Sequence, residues 1–510
     1  MADRTRIPSS TGTLVVGGGS AGAALAGVLA ENTAEDVTLL EAGPDYGPKN
    51  SGRWPKDLLD AATMAMVSHD WGYTGQVRGK TVAFNRAKVM GGCSAHNAGA
   101  AVLGSRFDYD GWAAAGNEGW ATDDLLPVIE SVWKRLEVRS VPLGDLTPFQ
   151  EACMEGLVAN GIPAVDDFNN LDETIGVAPF PISIARDGTR ISSPFAYVDP
   201  VRDQPNMAVA GDAPVERVLL DGSRVTGVVV RDADGTEFEV EAARVVLSGG
   251  AYGTPAILLR SGIGPADHLR EVGIEVRHEL PGVGENLHDQ PSLELDYAGT
   301  DEVRSLMTAH AADRWRPDEQ VIGKYASSEC ERGFDSHIYP VGGRNALRPD
   351  EWRWTVAAAV LTPHSRGFVR LTGPSSDDPL LIDHRYLSDP DGSDLRRLVE
   401  IVERIRELVQ YPPLARLLGE ETYPGAAVSG HEALTEFVRE SAVHYFHPAG
   451  SSKMGPASDP LAVVGADGAV HGLEGLYVAD ASIMPAVISG NTNIPTVVIG
   501  EKIGRELAAG

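Results

Sequence analysis

The run Gly17-Gly18-Gly19-Ser20-Ala21-Gly22 constrains this chain more than any other segment, because of what stands on either side of it. The apolar stretch Thr13-Leu14-Val15-Val16 ahead of it reads as a strand, and Ala23 to Asn32 behind it has the pattern of a helix. A G-x-G-x-x-G run in that setting opens a βαβ unit. Gly17 permits the tight turn, Gly19 lets backbone N–H groups approach a pyrophosphate at the positive helix N-terminus, and Gly22 lets helix and strand pack closely. A second strand, Val37-Thr38-Leu39-Leu40, delivers Glu41 nineteen residues after Gly22, where a carboxylate accepts hydrogen bonds from ribose hydroxyls. A bound dinucleotide is the expectation.

The fingerprint alone does not separate a nicotinamide from a flavin cofactor. At the other end of the chain, Leu476 to Pro485 reads as a strand that ends in a carboxylate, Asp480, suited to the ribityl or pyrophosphate region of a long cofactor. Two cofactor motifs about 460 residues apart imply a domain assembled from both chain ends.

At 510 residues and 43% hydrophobic content, the chain is long enough for one large, two-lobed unit. It has no apolar run of transmembrane length and no signal-peptide pattern at Met1 to Arg6, so a cytoplasmic protein is expected. The three cysteines, Cys93, Cys153 and Cys330, have neither metal-site spacing nor the number for a disulfide framework, and no metal is expected. A formal charge of −29 argues against nucleic acid as a partner and mildly favours cationic or neutral substrates.

Strand and helix patterns alternate from Thr13 to about Leu157 and again from Ala208 through Pro281, with an irregular stretch from Ile162 to Asp203. Beyond His288, strand-like runs at Trp354 to Leu361 and Gly367 to Leu371 suggest a second lobe built on a largely antiparallel sheet. Arg396 to Val409 reads as an amphipathic helix with Leu398, Ile401, Ile405 and Leu408 on one face, and Arg397, Glu400 and Arg404 as solvated charges elsewhere.

Three longer runs carry a family resemblance: Arg86 to Gly92, Gly250 to Gly264 and Leu280 to Asp289. With them the chain resembles the glucose-methanol-choline (GMC) flavin oxidoreductases over nearly its whole length. One departure is informative, since Cys93 stands in place of a usual Ser or Thr and His96 in place of an aliphatic residue. The branch typified by choline oxidase carries a similar G-G-C-S-x-H-N run, and there the matching histidine is bonded to the flavin 8α-methyl carbon. The resemblance thus implies FAD tethered through His96. A neutral imidazole suits that addition, and the link favours hydride acceptance.

The fold implied is α/β, a Rossmann-type FAD-binding domain (1–158, 204–292 and 455–510) with an α+β substrate domain on a mostly antiparallel sheet (159–203 and 293–454). The cofactor would lie against Gly17, Gly19, Ser20, Ala21, Gly22, Glu41 and Ala42. It would continue past Gly91, Gly92, Cys93, Ser94, His96, Asn97 and Ala98 to Val215, Asp480, Ala481, Asn491, Asn493 and Ile494. His447 and Asn493 resemble the family's catalytic pair: the imidazole removes the hydroxyl proton and the amide holds the same oxygen. His444 is held in reserve behind His447, Asn491 is read as serving the turn, and His337 resembles a substrate-site histidine of that branch.

The activity implied is oxidation of a small polar primary alcohol, amino alcohols and amino sugars ahead of aryl alcohols, with O2 or another electron acceptor and continuation to the acid within reach. Glu294 and Asp296 offer charges that could meet such a substrate, with a solvated face or strand surface as the more ordinary reading of both. The resemblance also admits a homodimer. Rival readings are a dehydrogenase using a non-oxygen acceptor, a nicotinamide enzyme, a non-redox hydroxynitrile-lyase-like enzyme and a noncatalytic flavin carrier. Bleaching of a bound flavin by an alcohol separates oxidation from the last three.

Overall fold

The structure, a computed structural model, describes residues 7–62, 64–65, 68–172, 175–232, 234–311, 317–344 and 351–510; the leading segment Met1 to Arg6 lies outside them. Its central strand is Ser10–Val16, buried from Thr13 onward. That strand pairs in parallel with Val37–Leu40 on one side and Glu237–Leu247 on the other, and Val37–Leu40 pairs in turn with Met207–Ala210. Parallel strands covered on both faces read as unbroken apolar runs, as these do. The strand Glu237–Leu247 serves two partners at its far edge. Its first half pairs antiparallel with Arg224–Arg231, followed by Val215–Asp221, while Val245 to Leu247 take Leu476–Val478 in parallel. Both chain ends therefore enter one sheet.

Two helices complete that closure. Ser20–Asn32, buried from Ala21 through Ala30, packs against the C-terminal helix Asn493–Ala509 and the short helix Ser193–Tyr197. Small residues set the spacing: a Cβ on Gly500 would lie 2.3 Å from the Ala21 carbonyl oxygen, and one on Gly27 would lie 2.4 Å from that of Tyr197. A glycine inside a helix costs about 1 kcal/mol relative to alanine, which backbone-to-backbone contact offsets.

The second lobe is a six-stranded antiparallel sheet in the order Leu418–Tyr423, Ser292–Gly299, Trp352–Val360, Ser336–Arg344, Val321–Tyr325, Gly176–Pro179. The helix Ser393–Leu408 covers it, with Leu398, Ile401, Ile405 and Leu408 all buried as the 3.6-residue period requires. Arg397 departs from its expected solvated place. It is 3% exposed, with Asp394 Oδ1 at 2.7 Å and Asp335 Oδ2 at 3.6 Å, because a charge is tolerated inside only when paired.

The chain divides between the two cores at points other than those expected. The helix Pro148–Ala159 buries Phe149, Ala152, Cys153 and Leu157 in the second core, although the sequence pattern places residues up to 158 in the first. Ile191, Tyr197, Val198 and Val201 lie in the first core, against the first helix, rather than in the substrate lobe. On the return, Ala442 and Tyr445 belong to the second core and Ala449 and Met454 to the first, so the crossing falls a few residues ahead of 455. Phe368–Leu371 leaves the antiparallel lobe altogether. It joins a separate four-stranded sheet with Leu380–Asp383, Thr74–Val77 and Lys80–Ala83.

Candidate active site

A cavity of about 1080 Å³ runs between the two cores, from the glycine run to His447. Single-ligand clefts span about 300–1,000 Å³, so this one has room for a long cofactor and a small substrate together. Most of the sequence-predicted residues meet on its wall. Gly17, Gly19, Ser20 and Ala21 come from the first strand–helix turn, and Glu41 and Ala42 from the end of the second strand. Gly92, Cys93, His96, Asn97 and Ala98 line its middle, and Val215, Asp480, Ala481, Asn491 and Asn493 complete it. Gly22, Gly91, Ser94, Ile494 and His337 are not on that wall.

The dinucleotide end is made of backbone. Gly17 takes φ +101°, and a Cβ there would lie 2.4 Å from the Ser248 carbonyl oxygen. Gly92 takes φ +48°, with its missing Cβ 2.8 Å from Gly19 Cα. Two glycine turns thus face each other at a distance that side chains would close. Gly22 stays off the wall because it serves packing, a Cβ there meeting the Gly17 carbonyl oxygen at 2.0 Å. Ser94 likewise turns inward, its Oγ donating to Gly91 O and accepting from Ser193 N.

Glu41 accepts from Gly18 N at 2.9 Å and Gly43 N at 2.8 Å, yet burial pushes its carboxyl up to about 7. Further donors, such as a ribose diol, would favour its ionised form. Asp480 ties its own turn to the helix Gly250–Arg260: Oδ2 accepts from Gly250 N and Thr254 Oγ1 at 2.7 and 2.6 Å, and Oδ1 from Ser482 N at 2.7 Å.

His96 sits at the C-terminal end of the turn Gly92–Ala95. Burial, then Arg190 and His69, hold it down at about 4, so its ring is neutral near pH 7. Its Nε2 is buried with no hydrogen-bond partner among the described residues, and a buried polar atom left that way asks for an explanation. A dinucleotide cradle of glycines, an acid at the ribose position and an orphaned imidazole nitrogen on one wall fit FAD.

His447 stands at the other end. Its backbone N–H donates to Asp289 Oδ1 at 3.0 Å, its Nδ1 lies 2.6 Å from Gln290 Oε1, and its Nε2 lies 3.4 Å from Asn491 Nδ2. Burial, with Arg86 and His444, brings the imidazole down to about 3. Asp289 is pushed up to about 6 by burial, against the pull of Arg86, and also accepts from Tyr386 Oη at 3.2 Å. Phe446, one residue ahead, takes the left-handed φ of 65°, and its carbonyl accepts from Arg86 Nη1 at 2.9 Å. Strain of this kind collects at functional sites.

Asn493 is not the amide beside His447. Its Oδ1 accepts from Ser20 Oγ at 2.9 Å, because Asn493 already opens the C-terminal helix and Ser20 opens the first. Asn491, two residues earlier and ahead of the helix, faces the imidazole instead. Pro495, within the first turn, is the signal in the sequence, since proline is best tolerated in the first turn of a helix and so marks a start close by. His337 is also displaced from its expected place. It is fully buried, with Nδ1 3.4 Å from Tyr445 Oη, so the tyrosine stands between it and the cavity. His444 turns away, its Nε2 3.1 Å from Ala83 O. The roles of Gln290, Asp289 and Arg86 are not visible in the sequence, because each acts on a segment more than 150 residues away.

Among the described residues, His364, Asp389 and Asp394 bring donor atoms within 4.8 Å of one another. Asp394 is already engaged by His364 N, Ser365 N and the Arg397 guanidinium. No described helix is long and apolar enough to cross a membrane.

Known proteins resemble this chain in sequence and fold. The GMC oxidoreductase family profiles match residues 12–292 and 363–500. Choline oxidase of Arthrobacter globiformis is 34% identical, the alignment covering 96% of this chain and 92% of that protein. An oxygen-dependent choline dehydrogenase of Stenotrophomonas maltophilia is also 34% identical, over 96% and 93%. Pyridoxine 4-oxidase of Mesorbium loti superposes with a TM-score of 0.85 at 26% identity, over 98% of this chain and 99% of that one. Formate oxidase of Aspergillus oryzae shares the fold with a TM-score of 0.86 at 21% identity, over 99% of both. The chain belongs to the GMC oxidoreductase family and is an FAD-dependent oxidoreductase acting on CH–OH groups.

Proposed function

We propose that this protein is an alcohol oxidase for small polar primary alcohols, with amino alcohols and amino sugars preferred and O2 as the electron acceptor. The overall change is RCH2OH + O2 → RCHO + H2O2, with the hydrated aldehyde as a second substrate giving the acid. The observation that carries this reading is the placement of a neutral His447, with Asn491 beside its Nε2, on the same wall as the orphaned His96.

FAD would be held by Gly17, Gly19, Glu41, Val215 and Asp480 and tethered through His96, and would supply the two-electron acceptor for hydride from the carbinol carbon. The protein supplies the rest. His447 Nε2 takes the hydroxyl proton as the C–H bond breaks, and the Asn491 amide donates to the same oxygen and steadies its developing charge. Arg86, on the cavity wall, adds a fixed positive charge beside Asp289 and Phe446.

Preference for an amine rests on acids that line the same cavity. Glu294, Asp318 and Glu319 line the cavity together with Tyr339 and Tyr445, and Arg353 pairs with Glu294. Burial pushes Asp318 up to about 7, and burial together with the neighbouring Asp318 and Glu294 brings Glu319 to about 7 as well. A protonated amine placed there relieves that crowding of like charges.

The test is anaerobic flavin bleaching across amino alcohols, amino sugars, simple alcohols and aryl alcohols, followed by oxygen uptake. Bleaching by the amine-bearing members with stoichiometric H2O2 is expected. A flavin that no alcohol bleaches, or one reoxidised only by an artificial acceptor, would remove the oxidase reading. Flavin that stays with the protein through SDS denaturation supports the His96 tether, and flavin released whole excludes it.

A further inference from the structure

We propose that Gln290 fixes the proton of His447 on Nδ1 and so keeps Nε2, the nitrogen on the Asn491 side, free to receive a proton. The proposal rests on His447 being the base. Gln290 is fully buried, and which end of its amide is oxygen follows from its neighbours. One edge lies 2.8 Å from Ile488 O, 3.1 Å from Leu361 O and 3.3 Å from Gly490 O. Carbonyl oxygens only accept, so that edge is the NH2.

The other edge, Oε1, faces His447 Nδ1 at 2.6 Å. An amide oxygen also only accepts, so Nδ1 carries the hydrogen. A neutral imidazole has one N–H, and Nε2 is left with its lone pair. The Asn491 Nδ2 group 3.4 Å away is then a donor facing that lone pair.

The alternative tautomer fails twice. It would set the Nδ1 lone pair against Oε1, and flipping Gln290 to meet it would set that oxygen against three carbonyls. Those carbonyls come from separate places: Leu361 follows the strand Trp352–Val360, and Ile488 and Gly490 precede the C-terminal helix. The tautomer is therefore held by tertiary structure, and Gln290 is a positioning residue that acts through His447.

The experiment replaces Gln290 by methionine and, separately, by glutamate, in the flavin-loaded enzyme. Gln290→Met keeps length without an acceptor. At matched flavin content and melting temperature, flavin reduction by a bleaching alcohol should slow about 10- to 100-fold, part of the 10²- to 10⁴-fold contribution of a base, with KM nearly unchanged. Long-range proton–nitrogen spectra of histidine-labelled protein should show His447 leaving its single Nδ1–H form. Gln290→Glu keeps an acceptor for Nδ1–H when its carboxyl is protonated, its O–H then donating to one of the three carbonyls, and in that form should keep the Nδ1–H signal and recover part of the rate.

A methionine variant with wild-type reduction, or one that keeps the Nδ1–H signal, overturns the proposal. So does a glutamate variant as slow as the methionine one below the pH at which its carboxyl ionises. Failure of the underlying reading looks different: His447→Ala would reduce its flavin normally, while the tautomer signal would still report on Gln290 alone.

Discussion

The two ends of the cavity are built on opposite plans. At the dinucleotide end the site is backbone: Gly17, Gly19 and Gly92 bring turns together, and Glu41 is held by the N–H groups of Gly18 and Gly43. At the substrate end, side chains from distant segments converge, with Arg86, Asp289, Gln290, His447 and Asn491 drawn from well-separated loops and elements. Backbone sites tolerate little change of residue because space and φ are fixed, and they therefore leave a sequence fingerprint. Side-chain sites are specified by tertiary convergence, which a linear pattern does not display.

The largest test of this contrast is His447→Ala, which should leave flavin content intact and slow reduction about 10²- to 10⁴-fold by stopped-flow. A variant that loses its flavin instead would show that the two ends are not separate. Next comes the asparagine pair. Asn491→Ala should slow reduction about 10- to 100-fold. Asn493→Ala should slow it far less and lower stability by about 1 kcal/mol through loss of the Ser20 hydrogen bond. Equal kinetic effects with unchanged melting would reverse the assignment of the two amides.

Glu41 offers a smaller effect, with a sign. Its carboxyl is raised from 4.5 to about 7 by burial, so in flavin-free protein the stability it contributes is present below about pH 4.5 and is lost as pH rises through 7. Ribose hydroxyls donate to the ionised form, so FAD binding releases a proton there. In untethered His96→Ala protein, FAD should bind about tenfold more tightly at pH 8 than at pH 5, a difference of about 1.4 kcal/mol in binding free energy. Titration by flavin fluorescence checks this, and a pH-independent affinity would remove Glu41 from the cofactor. The smallest kinetic effect is expected at His337. His337→Ala should leave KM for the alcohol within about twofold while costing about 2–4 kcal/mol in denaturant unfolding, as deletion of buried volume does.

The fold was legible because long apolar periods and glycine turns are local signals. The run Thr13 to Gly22 and the face Leu398, Ile401, Ile405, Leu408 lie as their spacing requires. Legibility fails where a residue's role depends on what folds against it. Arg397 shares its helix with solvated charges, yet meets Asp394 and Asp335 inside. His337 stands on a strand that enters the site, but Tyr445 covers it. Asn491 and Asn493 are two residues apart in one loop motif, and only the start of a helix tells which faces His447.

That helix start has a consequence in time. The Ser20–Asn493 hydrogen bond joins the N-termini of the first and last helices, side by side on the cofactor wall. Each contributes the positive pole of its dipole to the same spot. During synthesis the first helix leaves the ribosome some 470 residues before its partner, with its alanine face uncovered and half of the anion-binding field missing. The nascent chain is thus a poor receptor for the cofactor until the helix Asn493–Ala509 has packed beside the first.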